Sequence, residues 1–182
     1  LDKPLCIVTP GEAEATRFAA DLNTLGIPAA VFPARDYVRR PIEGTAREYE
    51  YRRLAVLGEL VGGRLRAVAV PAEALTQFTT PKEDFCANTR TLHAGDTLLR
   101  DDLLAALFGA GYTRRAQVDG PGQFSVRGDI VDIFAPDQKM PVRMEFWGDE
   151  IDTLHTFDPT TQRREDAIDK FYLSPAREVL FG

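Results

Sequence analysis

The acidic string Asp149-Glu150-Ile151-Asp152 comes nearest in this chain to the residue types of a catalytic metal site. Clustered carboxylates hold Mg²⁺ in nucleotide-hydrolysing enzymes, usually together with the substrate's phosphates. Here the string follows Trp147-Gly148 and separates two segments in which apolar and polar residues alternate. Because Gly-Asp is a strong hairpin signal, the position predicts a turn between antiparallel strands rather than a metal site.

Phosphate binding by a glycine-rich loop needs the string G-x-x-x-x-G-K-[ST], whose backbone amides and lysine hold the phosphates. No such string occurs in the chain. Gly62-Gly63-Arg64 is the nearest glycine-rich site, and it follows a helical pattern instead of preceding one, as a helix stop does. We therefore predict no cofactor and no ATP turnover for this chain by itself.

Other groups that could do chemistry are scattered. The carboxylate pairs Glu12 with Glu14 and Asp101 with Asp102 lie at predicted helix starts, where negative charge favours the helix dipole. The candidate nucleophiles and metal ligands are Cys6, Cys86, His93, Ser125 and His155. Their spacing matches neither a catalytic triad nor a metal site, and we place both histidines on strand surfaces. The chain is predicted not to be an enzyme by itself.

Composition narrows the class of protein. The 182 residues are 44% hydrophobic and 27% charged, which is ordinary for a soluble globular protein of one large or two small domains. No apolar run approaches the roughly 18–20 residues that span a bilayer, and two distant cysteines fit a reducing cytoplasm. The Leu1 start and the apolar end at 180–182 suggest a piece of a longer protein.

A net charge of −6 disfavours a polyanion partner for the chain as a whole. Three arginine pairs leave direct DNA binding as a weaker alternative: Arg39-Arg40, Arg52-Arg53 and Arg114-Arg115. A solvated helix face and a loop explain these pairs more simply.

The first half of the chain predicts strands alternating with helices. Apolar runs of the buried-strand type occur at 5–8, 29–32 and 67–70. Helical patterns lie between them, the first ending near Leu25 with Gly26 as its stop and the second ending at Gly62-Gly63; a short one follows at 72–78. Thr9 with Glu12, and Thr45 with Glu48, resemble capping boxes that open the two longer helices. This order predicts a parallel sheet.

The second half of the chain predicts a different pattern of secondary structure, with short strands that follow one another. A polar segment at 79–84, with Pro81, marks the predicted domain boundary. After one helix at about 101–110, stopped by Gly111, strands are predicted at 123–127, 130–134, 142–147 and 150–157. Gly128-Asp129 and Gly148-Asp149 are turn signals. We expect an antiparallel sheet backed by one or two helices.

Strand alternation predicts which side chains of this sheet face solvent. The segment 142–147 places Val142, Met144 and Phe146 on one face and Arg143, Glu145 and Trp147 on the other. The apolar face must be buried, so the second face should meet solvent, and Arg127 should join it from 123–127. An exposed Trp beside an Arg is typical of a binding hot spot. The alternative is a solvated strand face, with Trp147 covered by later chain.

Four strings in the second half are distinctive: GYTR at 111–114, PGQFSVRGDIVDIF at 121–134, PVRMEFWGDEID at 141–152 and FDPTTQR at 157–163. With shorter strings at 32–35, 52–54, 72–75 and 175–178, the chain resembles the UvrB-homology module of the transcription-repair coupling factor (Mfd) family, which is shared with the excision-repair protein UvrB. The resemblance implies an α/β protein. A degenerate helicase-like parallel α/β domain should occupy 1–84, and a mixed, mainly antiparallel α+β domain 85–174. Residues 175–182 should return towards the first.

UvrB and the coupling factors differ in one segment. The resemblance to UvrB implies a long, Tyr-rich insertion after the counterpart of Asp36-Tyr37, which clamps DNA. Here Asp36-Tyr37-Val38 leads within a few residues to Glu43-Gly44 and the next helix. That short connection favours the coupling factors, and a fragment of a UvrB-like, ATP-dependent damage-loading protein is the alternative.

The resemblance also implies a partner. In that family the second domain binds UvrA through two arginines and an aromatic residue, and Arg127, Arg143 and Trp147 match these positions. The aromatic is often Phe, so Trp147 departs from the pattern. ATP, Mg²⁺, RNA polymerase and double-stranded DNA are expected to bind other domains of the full-length protein.

Overall fold

The structure is a computed structural model that describes residues 3–35 and 45–178, with side chains from residue 47 onward in the second range. The chain forms two compact units, Leu1–Thr80 and Pro81–Gly182. Each unit is built around its own sheet.

The first unit is a parallel α/β layer. Its elements are β1 (Leu5–Thr9), α1 (Glu12–Thr24), β2 (Ala29–Val31), α2 (Thr45–Val61), β3 (Ala67–Pro71) and a short 3₁₀ helix (Ala72–Thr76). The strands pair in parallel in the order β1-β3-β2, which confirms the predicted parallel sheet. Every residue of β3 is buried, because β3 is the central strand and helices cover it.

Two local predictions for this unit are wrong. Helix α1 begins at Glu12 after an extended Gly11 and has no side-chain cap, because the Thr9 hydroxyl bonds to the Gly11 carbonyl at 2.8 Å instead. Strand β1 lies at a sheet edge, so Leu5 and Val8 are 51% and 56% exposed rather than buried. The predicted stop at Gly26 is confirmed by its φ of 76°, and the cap at Thr45 lies outside the described side chains.

Arg53 on α2 does not lie on a solvated helix face. Its side chain is completely buried, with the guanidinium 4.1 Å above the Phe32 ring. It donates to the Pro33 carbonyl at 2.8 Å and to the Gln77 amide oxygen at 3.3 Å. Arg53 is therefore a structural cation of the first unit, and it is not available to bind DNA. Arg39-Arg40 lies outside the described residues.

The second unit carries a larger, mixed sheet. Its elements are α3 (Lys82–Ala87), β4 (Arg90–His93), α4 (Arg100–Gly109), β5 (Thr113–Arg114), β6 (Gln123–Arg127), β7 (Ile130–Phe134), β8 (Val142–Trp147), β9 (Glu150–Phe157), β10 (Arg164–Ala167) and β11 (Lys170–Leu173). Six strands follow the order β10-β9-β8-β7-β6-β5, and only β5 and β6 pair in parallel. Strands β4 and β11 form a separate antiparallel pair.

The sequence predicts β6 to β9 with their observed bounds; it gives no bounds for α3, β4, β5, β10 and β11, although it places His93 on a strand. The missed strands are short or largely polar, so they show no alternation long enough to detect. Part of the polar segment predicted as a boundary is the first turn of α3, which starts at Lys82. Ala176 donates its amide to the Ala110 carbonyl within the second unit. The predicted return of 175–182 towards the first domain stays a prediction.

Two hairpin turns set the register of the sheet. Arg127 pairs with Ile130 and Trp147 with Glu150, leaving the two-residue loops Gly128-Asp129 and Gly148-Asp149. Gly128 and Gly148 have φ values of 59° and 64°. A positive φ at the first loop position is the type II′ geometry that matches strand twist.

Helix α4 packs on one face of the six-stranded sheet. Leu103 and Leu107 of α4 share a core with Phe124, Met144 and Leu154. The burial of Val142, Met144 and Phe146 confirms the predicted apolar face of β8. The opposite face, which we call the outer face, carries Arg127, Arg143 and Trp147.

Candidate functional site

The outer face is organised by cross-strand pairing. Ser125, Asp132, Arg143 and His155 lie opposite one another along β6, β7, β8 and β9. Side chains directly opposed in a sheet lie about 4.5–5.5 Å apart at Cβ, so they can interact. This row brings a carboxylate and a guanidinium together in the middle of the sheet.

Asp132 is the centre of that row. Its side chain is completely buried, and its Oδ1 accepts a hydrogen bond from Arg143 Nε at 2.7 Å. Its Oδ2 accepts from Arg143 Nη2 at 3.0 Å and from Arg127 Nη2 at 2.6 Å. Arg127 reaches it diagonally, because the residue directly opposite Asp132 is the small Ser125. One carboxylate therefore holds both arginines.

Arg143 is a largely covered cation, with 11% of its side chain exposed. Its guanidinium lies 4.7 Å above the Phe157 ring, and its Nη1 donates to the Gln162 carbonyl at 3.3 Å. The hydrogen bonding of the Arg143 guanidinium to the Asp132 carboxylate raises the pKa of Arg143 above its ordinary value. The expectation that Arg143 stands in solvent is wrong, because Phe157 and Gln162 cover the position that strand alternation leaves open.

The covering segment is the connection between β9 and β10. Gln162 has a φ of 61°, and its Nε2 donates to the Pro159 and Val118 carbonyls at 2.7 and 3.1 Å. Asp158 Oδ1 accepts the backbone amides of Thr160 and Thr161 at 2.8 and 2.7 Å. The amide of Thr161, above all, lowers the pKa of Asp158 below its ordinary value. These hydrogen bonds join the connection to itself and to Val118, and the Gln162 carbonyl within it accepts from Arg143.

The apolar residues beneath this segment form a small cluster of their own: Val118, Phe134 and Phe157. Sequence reasoning missed the cluster because its members are separated by 16 and 23 residues along the chain. The signal that could have found it is a strand end with an apolar residue on the polar face, as at Phe134 and Phe157.

Two of the three predicted site residues reach solvent. Trp147 is 82% exposed at the end of β8, so the alternative in which later chain covers it is wrong for the described residues. The Arg127 side chain is 47% exposed, and Asp132 is the one hydrogen-bond partner of its guanidinium among the described residues. Its Nε and Nη1 therefore remain available to an acceptor from outside. The exposed pair has the residue types of a protein-binding hot spot.

Glu145 lies on β8 between Arg143 and Trp147, and its charge is balanced. It forms an ion pair with Arg164 on β10 and accepts the Thr153 hydroxyl at 3.2 Å. Glu145 is therefore paired within the sheet and does not occupy the free donors of Arg127.

The described residues do not meet the requirements of a metal site. They contain no group of three or more His, Cys, Asp or Glu side chains placed to hold a metal ion. Asp149 lies in the predicted hairpin turn, as expected. His93 and His155 lie on β4 and β9, in agreement with their predicted strand positions.

Residues 91–179 match the family model described as the UvrB interaction domain. The chain is 35% identical over 190 residues to the transcription-repair-coupling factor of Myxococcus xanthus, and 28% identical over 181 residues to that of Bacillus subtilis. These alignments cover 99% and 98% of this chain. The chain is similar to part of the transcription-repair-coupling factors over nearly its whole length, and its second half matches the UvrB interaction domain.

This UvrB-like module spans 16% of the Myxococcus relative and 15% of the Bacillus one. It is also 34% identical over 150 residues to the UvrABC system protein B of Burkholderia mallei, an alignment that covers 82% of this chain and 21% of that protein. The matched interaction domain includes Arg127, Arg143 and Trp147. These similarities are consistent with a protein-interaction module. In the described part of the chain, none of the helices is long and apolar enough to cross a membrane.

Proposed function

We propose that this UvrB-like module is a non-catalytic surface by which a coupling factor recruits UvrA to stalled RNA polymerase in nucleotide excision repair. The observation that carries the proposal is the exposure of Trp147 on the same sheet face as Arg127, with guanidinium donors of Arg127 still free. The similarity to proteins named transcription-repair-coupling factor supports this proposal.

The outer face suits a partner with a carboxylate next to an apolar pocket. Arg127 can donate two charge-assisted hydrogen bonds to such a carboxylate. Trp147 offers a large apolar surface that loses little conformational freedom when it is buried. Both residues are carried on strands of the six-stranded sheet rather than on long loops, so their positions are defined before binding.

The wider assignments belong to the whole coupling factor. ATP and Mg²⁺, RNA polymerase and double-stranded DNA are proposed to bind its other domains, and the protein is proposed to act in the cytoplasm. The second candidate is a fragment of a UvrB-like, ATP-dependent loading protein, which the similarity to the Burkholderia protein favours. The connection at 36–44, which separates the two candidates in sequence, lies outside the described residues.

Isothermal titration of the 182-residue chain with purified UvrA tests the proposal. The variants Arg127→Glu and Trp147→Ala should each weaken binding at least tenfold, since charge reversal or loss of a hot-spot residue costs about 2 kcal/mol or more. Matched controls are Arg114→Glu and Phe108→Ala, which change an exposed arginine and a half-exposed aromatic away from the outer face. These controls should bind like the parent.

The result that overturns the proposal is no measurable binding by the parent, or parental binding by both site variants. Circular dichroism and the unfolding midpoint show that each variant is folded. Comparison of ATP hydrolysis in the full-length protein with and without a phosphate-loop substitution upstream of the module tests the second candidate.

A further inference from the structure

The carboxylate of Asp132 is paired with two guanidinium groups, although one is enough to balance its charge. The cluster has one carboxylate and two guanidinium groups, so its formal charge is +1. Arg143 already makes a two-point contact to both carboxylate oxygens, at 2.7 and 3.0 Å. A buried charge is costly when unpaired, and this contact alone pairs it. The contact from Arg127 is therefore an addition to a pair that is complete without it.

That additional contact is the shortest of the three made to Oδ2, at 2.6 Å against 3.0 Å for Arg143 Nη2 and 3.5 Å for the Ser125 hydroxyl. It fixes Arg127 by one nitrogen, Nη2, and leaves Nε and Nη1 directed elsewhere. Arginine side chains have many rotamers, and an exposed one loses that freedom when a partner binds it. A side chain that is already held in place loses less.

We infer that Asp132 is a positioning residue of the outer face: it fixes the guanidinium of Arg127 so that the free donors meet a carboxylate of the partner. Arg143 takes part by holding Asp132, and its own guanidinium is closed off by Phe157 and Gln162. The inference rests on the proposed function, and it gives different roles to two arginines that look equivalent in sequence. Arg127 contacts the partner, whereas Arg143 supports the carboxylate.

The substitution Asp132→Asn keeps the size of the side chain and converts one acceptor oxygen into a donor. An amide is neutral, so Asn removes the negative charge that offsets the repulsion between the guanidinium groups of Arg127 and Arg143, as well as one acceptor oxygen. Arg143 is largely covered, whereas Arg127 is half-exposed and can turn into solvent. We therefore expect Arg127 to be the side chain that moves away.

A double-mutant cycle on the 182-residue chain, titrated with UvrA, separates positioning from a purely structural effect. The four proteins are the parent, Asp132→Asn, Arg127→Gln and the double variant. Asp132→Asn should weaken binding about tenfold in the parent, from the cost of re-ordering one long side chain. It should have no further effect when Arg127 is already Gln, because there is then no arginine left to position.

Each result of the double-mutant cycle supports or overturns the positioning role of Asp132. Equal weakening by Asp132→Asn in both backgrounds shows a structural role alone and overturns the inference. Parental affinity of Asp132→Asn overturns it too, while the proposed function stands. If the parent does not bind UvrA, both the proposed function and the positioning role of Asp132 are wrong.

If Asp132→Asn does not fold, NMR of the parent chain tests whether the guanidinium of Arg127 is held in place. The ¹⁵N side-chain signals of Arg127, assigned by their loss in Arg127→Lys, should show slowed rotation of the guanidinium. A freely rotating guanidinium overturns the inference.

Discussion

Asp132 and Arg143 face each other across β7 and β8 and are joined by two hydrogen bonds, with the Asp132 side chain fully buried and the Arg143 side chain 11% exposed. Arg143 therefore supports the sheet whether or not it also touches a partner. Loss of binding after a charge reversal at Arg143 would therefore not by itself identify a contact between Arg143 and the partner.

Replacing Arg143 should destabilise the module. We expect Arg143→Ala to lower the free energy of unfolding by about 3 kcal/mol, because it leaves the buried Asp132 with Arg127 as its remaining cation. Arg127→Ala should cost less than about 1 kcal/mol, since Arg127 is half-exposed and the Arg143 pair stays intact. Urea unfolding followed by circular dichroism compares the two. Equal midpoints for Arg143→Ala and the parent would contradict the structural role.

The neighbouring arginines of α2 should also differ. Arg53 is buried against Phe32 and the Pro33 carbonyl, so Arg53→Ala should lower the free energy of unfolding by about 3 kcal/mol. Arg52 is exposed and pairs with Glu12 at 3.2 Å, and Arg52→Ala should change it by roughly 0.5 kcal/mol or less. Thermal unfolding of both variants is the measurement. If the two variants melt together, the burial of Arg53 contributes nothing.

Trp147 provides an optical test, because it is the only tryptophan and is 82% exposed. Its emission in the folded chain should be close to that in urea, and acrylamide should quench it almost as well as in the unfolded chain. A UvrA fragment without tryptophan should shift the emission to shorter wavelength and protect it from quenching. Emission that is already blue-shifted and protected in the free chain would show a covered ring.

Asp158 should make the covering segment sensitive to acid. Its pKa is lowered in the folded state by the amide of Thr161, so the stabilisation is complete above the unfolded pKa and is lost as pH falls through the folded one. Carboxyl ¹³C NMR should give a midpoint below that of an aspartate in an unstructured peptide. Asp158→Asn keeps the acceptor oxygen and should remove this part of the acid dependence. An ordinary midpoint for Asp158 would refute the prediction.

Gln162 has a φ of 61°, at which glycine is less strained than alanine. Both Gln162→Gly and Gln162→Ala lose the two side-chain hydrogen bonds to Pro159 and Val118. At an ordinary loop position alanine is more stable than glycine by about 0.4–1 kcal/mol, and here we expect the order to reverse. The difference between the two unfolding midpoints measures it. Greater stability of the alanine variant would show that residue 162 is not held at positive φ.

The sequence by itself determined the elements whose signals are local. Alternation over 142–147 is enough to assign β8 and its buried face, because successive strand residues point to opposite sides. Gly128 and Gly148 mark the turns, because the first loop position needs a positive φ that glycine adopts without strain. The same alternation assigned Trp147 to the outer face, and the structure decided that it is exposed rather than covered by later chain.

Only the tertiary structure decided which arginines are covered. Alternation assigns Arg127 and Arg143 to one face, but it cannot show that Phe157 and Gln162, 14 and 19 residues further along the chain, lie over Arg143. Arg53 differs from Arg52 for the same reason, since the groups that enclose it come from the loop after β2 and from Gln77. Burial of a charge depends on contacts between distant segments, whereas periodicity and turn chemistry depend on neighbours along the chain.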